Sequence, residues 1–330
     1  MLRTVLNLRP QVKSSASPKA QNRTHPRALD APLPLALWHI ASLDAPTVAI
    51  VWTLGFAFAA GVHLPLWVPA LIGLVTWTVY ISDRLLDARS ALAGMQPSRL
   101  RHRHRFHWRH RRLLTSIAIA SACAALVIVV VYVPVAARAR GAVLGLAAIV
   151  YFSGVHARRN PNSRLGWLPA PGKMMESLPF TQIGNELLVA AIFTCGCMLP
   201  VWPRAVLLPT PLWPLMLVAS FYMLLVWLNY HAIGRWEAGD PAPHISPAGF
   251  ILAFTGLAVA TLLGTSHPAP ALLVGSGACS AFFLAILNRN RRRLTSLALR
   301  ACADLALLIP LVALVPFTLL VPSIALSSRP

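Results

Sequence analysis

Residues 75–89, VTWTVYISDRLLDAR, end an apolar segment with two aspartates four residues apart. In a helix, residues at this spacing lie on one face, one turn from each other, so Asp83 and Asp87 lie together. Like charges in this arrangement repel unless a positive group lies against them. Either Arg84 and Arg89 neutralise the pair as a surface ion network, or a divalent cation does. Ionisable groups at the end of a membrane helix are costly, which makes them candidates for function.

The composition is typical of a polytopic membrane protein. The chain has 330 residues, of which 57% are hydrophobic and only 12% charged, with a mean hydropathy of +0.64. The formal charge of +20 would suggest nucleic acid as the partner of a soluble protein. In a membrane protein, Lys and Arg instead collect in cytoplasmic loops. We therefore expect a lipid bilayer as the partner, and no nucleic acid.

Apolar segments near the roughly 20 residues needed to cross a bilayer recur along the chain. They predict an all-α fold, a transmembrane bundle of about nine helices. The candidate spans are 46–64, 66–87, 113–135, 141–157, 185–202, 211–234, 247–266, 269–288 and 300–321. Residues 1–34 are predicted to be a disordered basic cytoplasmic tail, 35–322 the membrane domain and 323–330 a short C-terminal tail. Residues 33–44 suit an amphipathic helix at the interface, before the first span.

The distribution of basic residues predicts the orientation of these spans. With the N-terminus inside, 25 of the 29 Lys and Arg residues fall in cytoplasmic segments, as the positive-inside rule requires. This orientation predicts a multi-pass protein of the cytoplasmic membrane, with Asp83 and Asp87 at its cytoplasmic side.

The connection after the second span contains a strongly basic stretch at residues 99–112, RLRHRHRFHWRHRR. One interpretation is an interfacial segment held by anionic lipid headgroups, with Phe106 and Trp108 as anchors. The other is a basic lid beside the aspartates that helps to hold a phosphate-bearing substrate. A metal site formed by the four histidines is disfavoured, because arginines at nearly every alternate position repel a cation.

Further polar residues are predicted near the same side of the membrane. Span six ends with Asn229, Glu237 and Asp240, and the loop between spans four and five contributes Lys173. Hard oxygen ligands from separate helices are what Mg²⁺ with a phosphate ester needs. Glu237 and Asp240 can equally be ordinary loop residues. Asp304, four residues after Arg300, is expected to form an ion pair within its own helix.

This pattern resembles the UbiA-type superfamily of intramembrane prenyltransferases. Asp83 and Asp87 match the two aspartates of that family's N-x-x-x-D-x-x-x-D motif, whose asparagine position is Val79 here. The sequence from Ser42 to Pro46, SLDAP, resembles the R-L-D-x-P entry to the family's first helix. The second motif is less similar, because it lacks paired aspartates four residues apart.

The resemblance implies nine helices, Mg²⁺ as cofactor and a polyprenyl diphosphate as substrate, with transfer of the prenyl group to an aromatic or lipid acceptor. Asp83 and Asp87 are then the catalytic residues. The alternative is a relative that has lost catalysis and keeps a lipid-binding or accessory role. The metal ligands implied are Asp83, Asp87, Glu237 and Asp240. The substrate-binding residues implied are Arg84, Arg89, Arg105, Lys173 and Asn229.

Overall fold

A computed structural model describes residues 30–94, 102–159 and 181–311, and this part of the chain is all-α. A 3₁₀ turn, Arg291–Arg293, separates the last two helices. The helices are α1 (Leu33–Ile40), α2 (Asp44–Ala59), α3 (Trp67–Gly94), α4 (His102–Arg109), α5 (Arg111–Tyr132), α6 (Val135–Arg159), α7 (Thr181–Met198), α8 (Trp202–Ala205), α9 (Trp213–Ala238), α10 (Ile245–Leu263), α11 (Pro268–Asn290) and α12 (Ser296–Ala306).

Four of these helices, α5, α9, α10 and α11, are long and apolar enough to cross a bilayer. Helices α1 and α2 pass the same test as a pair, bent by 88° at their junction, which brings the count to five. A helix overlaps each of the nine predicted segments, the ninth through α12 at residues 300–306, and residues 312–321 of that segment lie outside the described ranges. The multi-pass character of the chain is therefore supported, whereas the number of nine spans stays a prediction.

The surface of α5 is apolar and largely exposed. Only 17% of its most apolar window is buried, and its mean hydropathy there is 2.6. Leu126, Val127 and Val131 each expose 60% or more of their surface. A helix that is apolar all round and packed on one side fits a lipid environment.

The core lies where α2, α7, α9 and α11 meet. Trp52 of α2 stacks on Tyr222 of α9, with ring centroids 3.9 Å apart, and Phe56 packs edge-on against Tyr222 at 5.6 Å. All three side chains are fully buried. The indole of Trp52 donates a hydrogen bond to the carbonyl oxygen of Leu307, at 2.9 Å. Trp52 thus connects α2 both to α9 and to the residue that follows α12.

Glycines allow α10 and α11 to pack closely against each other and against α9. A Cβ added at Gly256 would lie 2.5 Å from the ring of Phe221, and one at Gly277 would lie 2.8 Å from it. A Cβ at Gly249 would lie 2.9 Å from Ala285. Small residues at helix contacts are how membrane helices achieve close van der Waals packing.

The junction between α1 and α2 is a tight elbow. Ser42 has a φ of 59°, in the left-handed region, and its N–H bonds to the carbonyl of His39. The indole of Trp77 in α3 donates to the carbonyl of Ala41, at 3.1 Å. The predicted interfacial helix over residues 33–44 is therefore shorter, ending at Ile40. The elbow brings His39 and Asp44, five residues apart, to one place.

Candidate functional site

The polar residues of α3 form one continuous face. Tyr80, Asp83, Arg84 and Asp87 are spaced three or four residues apart, so they lie along one side of the helix. Asp83 and Asp87 are half-buried, whereas Ser82, which precedes Asp83 and lies off this face, is exposed. Both aspartates thus lie at the edge of the buried side of α3.

Arg84 connects this face to the protein interior. Its side chain is 7% exposed, lies over the ring of Tyr80 at 4.6 Å and donates a hydrogen bond to the Tyr80 hydroxyl. That hydroxyl donates in turn to Oδ2 of Asp44, at 3.1 Å. Arg84 was predicted to hold a substrate diphosphate. The structure places its guanidinium against Tyr80, whose hydroxyl contacts the buried carboxylate of Asp44.

That carboxylate belongs to a buried cluster formed by four helices. Nδ1 of His39 lies 3.0 Å from Oδ2 of Asp44 and 3.4 Å from Oδ2 of Asp304 in α12. The amide nitrogen of Asn229 in α9 donates to Oδ1 of Asp304, at 3.2 Å. His39, Asp44 and Asn229 are 6%, 1% and 7% exposed. Buried charges are costly unless paired or bound to metal, so this cluster is the strongest candidate site in the interior.

Sequence reasoning missed the centre of this cluster. Asn229 was predicted to contact substrate and instead holds Asp304. The expected ion pair between Asp304 and Arg300 is wrong, because Arg300 pairs with Glu237. A signal did exist in the sequence, since His39 and Asp44 flank a short turn at the entry to a membrane helix. The contribution of Asp304 depends on tertiary packing alone.

The acids at the end of α9 have arginine partners. Glu237 forms its ion pair with Arg300. Oδ2 of Asp240 lies 2.7 Å from Nη1 of Arg235, and its Oδ1 accepts a hydrogen bond from the backbone N–H of Ala242, at 3.0 Å. This backbone donor and Arg235 hold the pKa of Asp240 below its usual value. Both acids were predicted as second-site metal ligands, and both lie in structural ion pairs.

One group of three potential metal ligands has its ligand atoms within 4.8 Å of one another in the described ranges: His39, Asp44 and Asp304. Asp83 and Asp87 are not part of it, nor are Glu237 and Asp240. The four predicted magnesium ligands are therefore not gathered into one such group. The pair Asp83 and Asp87 stays a predicted site of its own.

The basic stretch forms a separate groove. Residues 102–109 are helix α4, and a groove of about 590 Å³ opens between it, α3 and α5. It is lined by Leu85, Leu86, Arg89, Trp108, Arg111, Arg112, Thr115 and Ser116. Arg89 is two residues from Asp87, and residues two apart do not share a helical face. Arg89 therefore lies on a different side of α3 from Asp87, while Leu86, three residues after Asp83, also lines the groove.

The other basic residues predicted to bind substrate lie elsewhere. Arg105 is exposed on α4. Lys173 lies outside the described residues. His107 of the same helix is buried, and its Nε2 lies 3.4 Å from the hydroxyl of Ser42 at the elbow. Helix α4 is thus anchored to the elbow by a histidine, and its Trp108 lines the groove, whose arginines belong to α3 and α5.

A second polar cluster lies on α9. Nδ1 of His231 lies 2.7 Å from Oε2 of Glu186, and its Nε2 lies 2.9 Å from Nε2 of His244. Glu186 and His231 are both buried, and the ring of Trp227 stacks on His231 at 5.4 Å. The sequence favours a packed, polar role for His231, and the carboxylate and imidazole partners provide it.

Comparisons with protein-family models, with curated proteins and with solved structures give no match to this chain.

Proposed function

We propose that this protein is an integral membrane prenyltransferase that binds a polyprenyl diphosphate through Mg²⁺ at Asp83 and Asp87. The observation that carries the proposal is the inward placement of this pair: both carboxylates are half-buried, one turn apart, on the face of α3 that leads to the buried cluster. Mg²⁺ is commonly held by one or two carboxylates together with substrate phosphates and water. Two carboxylates at this spacing fit that role.

The reaction follows from the chemistry of an allylic diphosphate. The bond between the first prenyl carbon and the diphosphate oxygen breaks, and the diphosphate leaves with the electron pair. A nucleophilic atom of the acceptor bonds to that carbon and loses its proton. Bound Mg²⁺ would neutralise the negative charge of the leaving diphosphate. Asp83 and Asp87 would hold that ion. The apolar helices exclude the water that would otherwise capture the prenyl group.

A second candidate function is a prenyl-diphosphate or lipid-binding protein without turnover. The ion pairs of Glu237 with Arg300 and of Asp240 with Arg235 favour it, because they occupy the acids of the second motif. The position of Arg89 favours it as well, since Arg89 lines the groove and does not share a helical face with Asp87. Binding and catalysis must therefore be measured separately.

The test is binding of farnesyl diphosphate to the full chain in detergent, with Mg²⁺ or with EDTA. Variants are Asp83→Asn/Asp87→Asn and, as a matched control, Asp30→Asn, an exposed aspartate outside the helices. The proposal predicts Mg²⁺-dependent binding that the double variant loses and the control keeps. Binding that is indifferent to both metal and mutation would reject a diphosphate site at Asp83 and Asp87.

Release of diphosphate separates the two candidates. The same samples are incubated with a membrane lipid extract as the source of acceptor, and released diphosphate is quantified. Turnover that stops in EDTA and in the double variant supports the transferase. Mg²⁺-dependent binding without release supports the binding protein.

A further inference from the structure

Three polar atoms in the buried cluster lack a hydrogen-bond partner among the residues that the structure describes. They are Nδ1 of His39, Oδ1 of Asp44 and Oδ1 of Asn229. All three residues are more than nine-tenths buried. Buried polar atoms are almost always satisfied, and exceptions commonly indicate an ion or a water at the site. Nine buried polar atoms of the described residues lack such a partner, and three of them belong to this one cluster.

The spacing of the cluster matches a coordination shell. Nδ1 of His39 is close to one oxygen of each aspartate, at 3.0 and 3.4 Å, without the geometry of a hydrogen bond to either. Metal–ligand bonds of roughly 2.0–2.2 Å to histidine and carboxylate place neighbouring ligand atoms about 3.0–3.5 Å apart. The ligand atoms of His39, Asp44 and Asp304 all lie within 4.8 Å of one another.

We propose that His39, Asp44 and Asp304 bind a divalent first-row transition-metal ion, with Zn²⁺ as the representative ion. One imidazole nitrogen with two carboxylates is a donor set suited to zinc and its neighbours. The amide oxygen of Asn229, which is buried without a hydrogen-bond partner, is the candidate fourth ligand, since the amide nitrogen of the same side chain donates to Asp304. Arg84, which reaches the cluster through Tyr80, offsets one carboxylate. A divalent cation more than offsets the other carboxylate and accepts electron pairs from the imidazole nitrogen and the amide oxygen.

The surrounding residues provide the outer support that metal sites use. The Tyr80 hydroxyl donates to Asp44, and the Asn229 amide donates to Asp304. Such hydrogen bonds orient metal-binding carboxylates. The ion would join the elbow between α1 and α2 to α12, so its role is to fix the helices together. This site does not depend on diphosphate binding at Asp83 and Asp87.

The competing explanation is a proton in place of the metal. A protonated His39 between the two aspartates would also reduce the net charge. It would not satisfy Oδ1 of Asp44 or Oδ1 of Asn229, because a single Nδ1–H is directed at one acceptor. A metal gives partners to all three atoms if Asp44 binds it through both carboxylate oxygens, and the two explanations give opposite results in a binding experiment.

The test is titration of the EDTA-stripped full chain in detergent with Co²⁺, read by visible absorption, and Zn²⁺ content measured by elemental analysis after desalting. The proposal predicts one ion per chain and a Co²⁺ spectrum typical of mixed nitrogen and oxygen ligands. His39→Gln and Asp304→Asn should lose stoichiometric binding, while His63→Gln, an exposed histidine, should keep it. Tyr80→Phe should weaken binding roughly 10- to 100-fold.

The variant Asp83→Asn/Asp87→Asn separates this site from the diphosphate site, because it should keep the transition metal. Absence of stoichiometric binding in the wild type would overturn the proposal. Binding that survives both His39→Gln and Asp304→Asn, or that is lost only in the double variant, would overturn it too. If the first two variants do not fold, the affinity of Tyr80→Phe and the wild-type Co²⁺ spectrum decide.

Discussion

The side-chain amide of Asn229 in α9 donates a hydrogen bond to Oδ1 of Asp304 in α12, at 3.2 Å. The two residues are 75 positions apart, and both lie inside the helix bundle. This contact turns Asp304 toward His39 and leaves Arg300, one turn earlier, to pair with Glu237. Of the polar residues of α12, Asp304 therefore belongs to the buried cluster, whereas Arg300 belongs to the ion pair with Glu237.

Replacing Asn229 should therefore destabilise the bundle. Asn229→Ala leaves a buried carboxylate without its amide donor, at a cost of about 1–3 kcal/mol. The matched control is Asn290→Ala, because Asn290 is exposed and donates to the carbonyl of Ile286 in its own helix. Thermal unfolding in detergent measures both. Equal unfolding temperatures for the two variants would contradict the structural role of Asn229.

The close contact of α9 with α10 and α11 predicts a steric effect at Gly256. A methyl group there would lie 2.5 Å from Phe221, so Gly256→Ala forces the ring or the helices to move. Overpacking of this kind costs about 1–3 kcal/mol. Gly145→Ala, in α6, is the control, since a Cβ there meets no atom within 4 Å and Ala favours the helix. The free energy of unfolding should fall in the first variant and hold or rise in the second.

The ion pair of Glu237 with Arg300 predicts energetic coupling. Single variants Glu237→Gln and Arg300→Gln, with the double variant, form a cycle whose coupling energy should be about 0.5–3 kcal/mol. Both side chains are mostly buried, at 19% and 15% exposed, which limits screening by solvent. Mg²⁺-dependent binding of farnesyl diphosphate should be unchanged in Glu237→Gln. A large loss of binding with no coupling would instead support Glu237 as a metal ligand.

The orientation of α3 can be tested with reporter fusions. In the nine-span arrangement α3 crosses the membrane, so a reporter placed after residue 63 lies outside the cell and one placed after residue 99 lies in the cytoplasm. If α3 does not cross, both reporters lie on the same side. Pairs of phosphatase and fluorescent-protein fusions at these two positions distinguish the five-span and nine-span arrangements.

Local patterns predict much of the helical framework. Apolar segments bounded by prolines gave helices at the expected places, and the spacing of Asp83 and Asp87 correctly indicates a shared, partly buried face of α3. These features depend on residues three or four apart, which a helix brings together in any fold. The elbow at Ser42 was not expected, since a serine at positive φ has no simple sequence signal.

The buried cluster could not be predicted in the same way. His39 and Asp44 meet because of the elbow, and Asp304 joins them because α12 packs against α1 and α2. The separation of the arginine-lined groove from Asp87 was within reach of sequence reasoning, because Arg89 falls on the opposite side of the helix. Opposite charges suggested that Arg89 and Asp87 share one site, whereas the helical spacing places them on different sides of α3.

The hydrogen bond from Trp52 to Leu307 spans 255 residues, and the contact of His39 with Asp304 is slightly more distant in the chain. At 5–20 residues per second, a ribosome needs roughly 10–50 s to make the residues between them. During that interval the histidine and aspartate of the elbow sit in or beside the membrane with their partner not yet synthesised. The polar cluster at the elbow is therefore completed only when α12 has been made and Asp304 reaches His39.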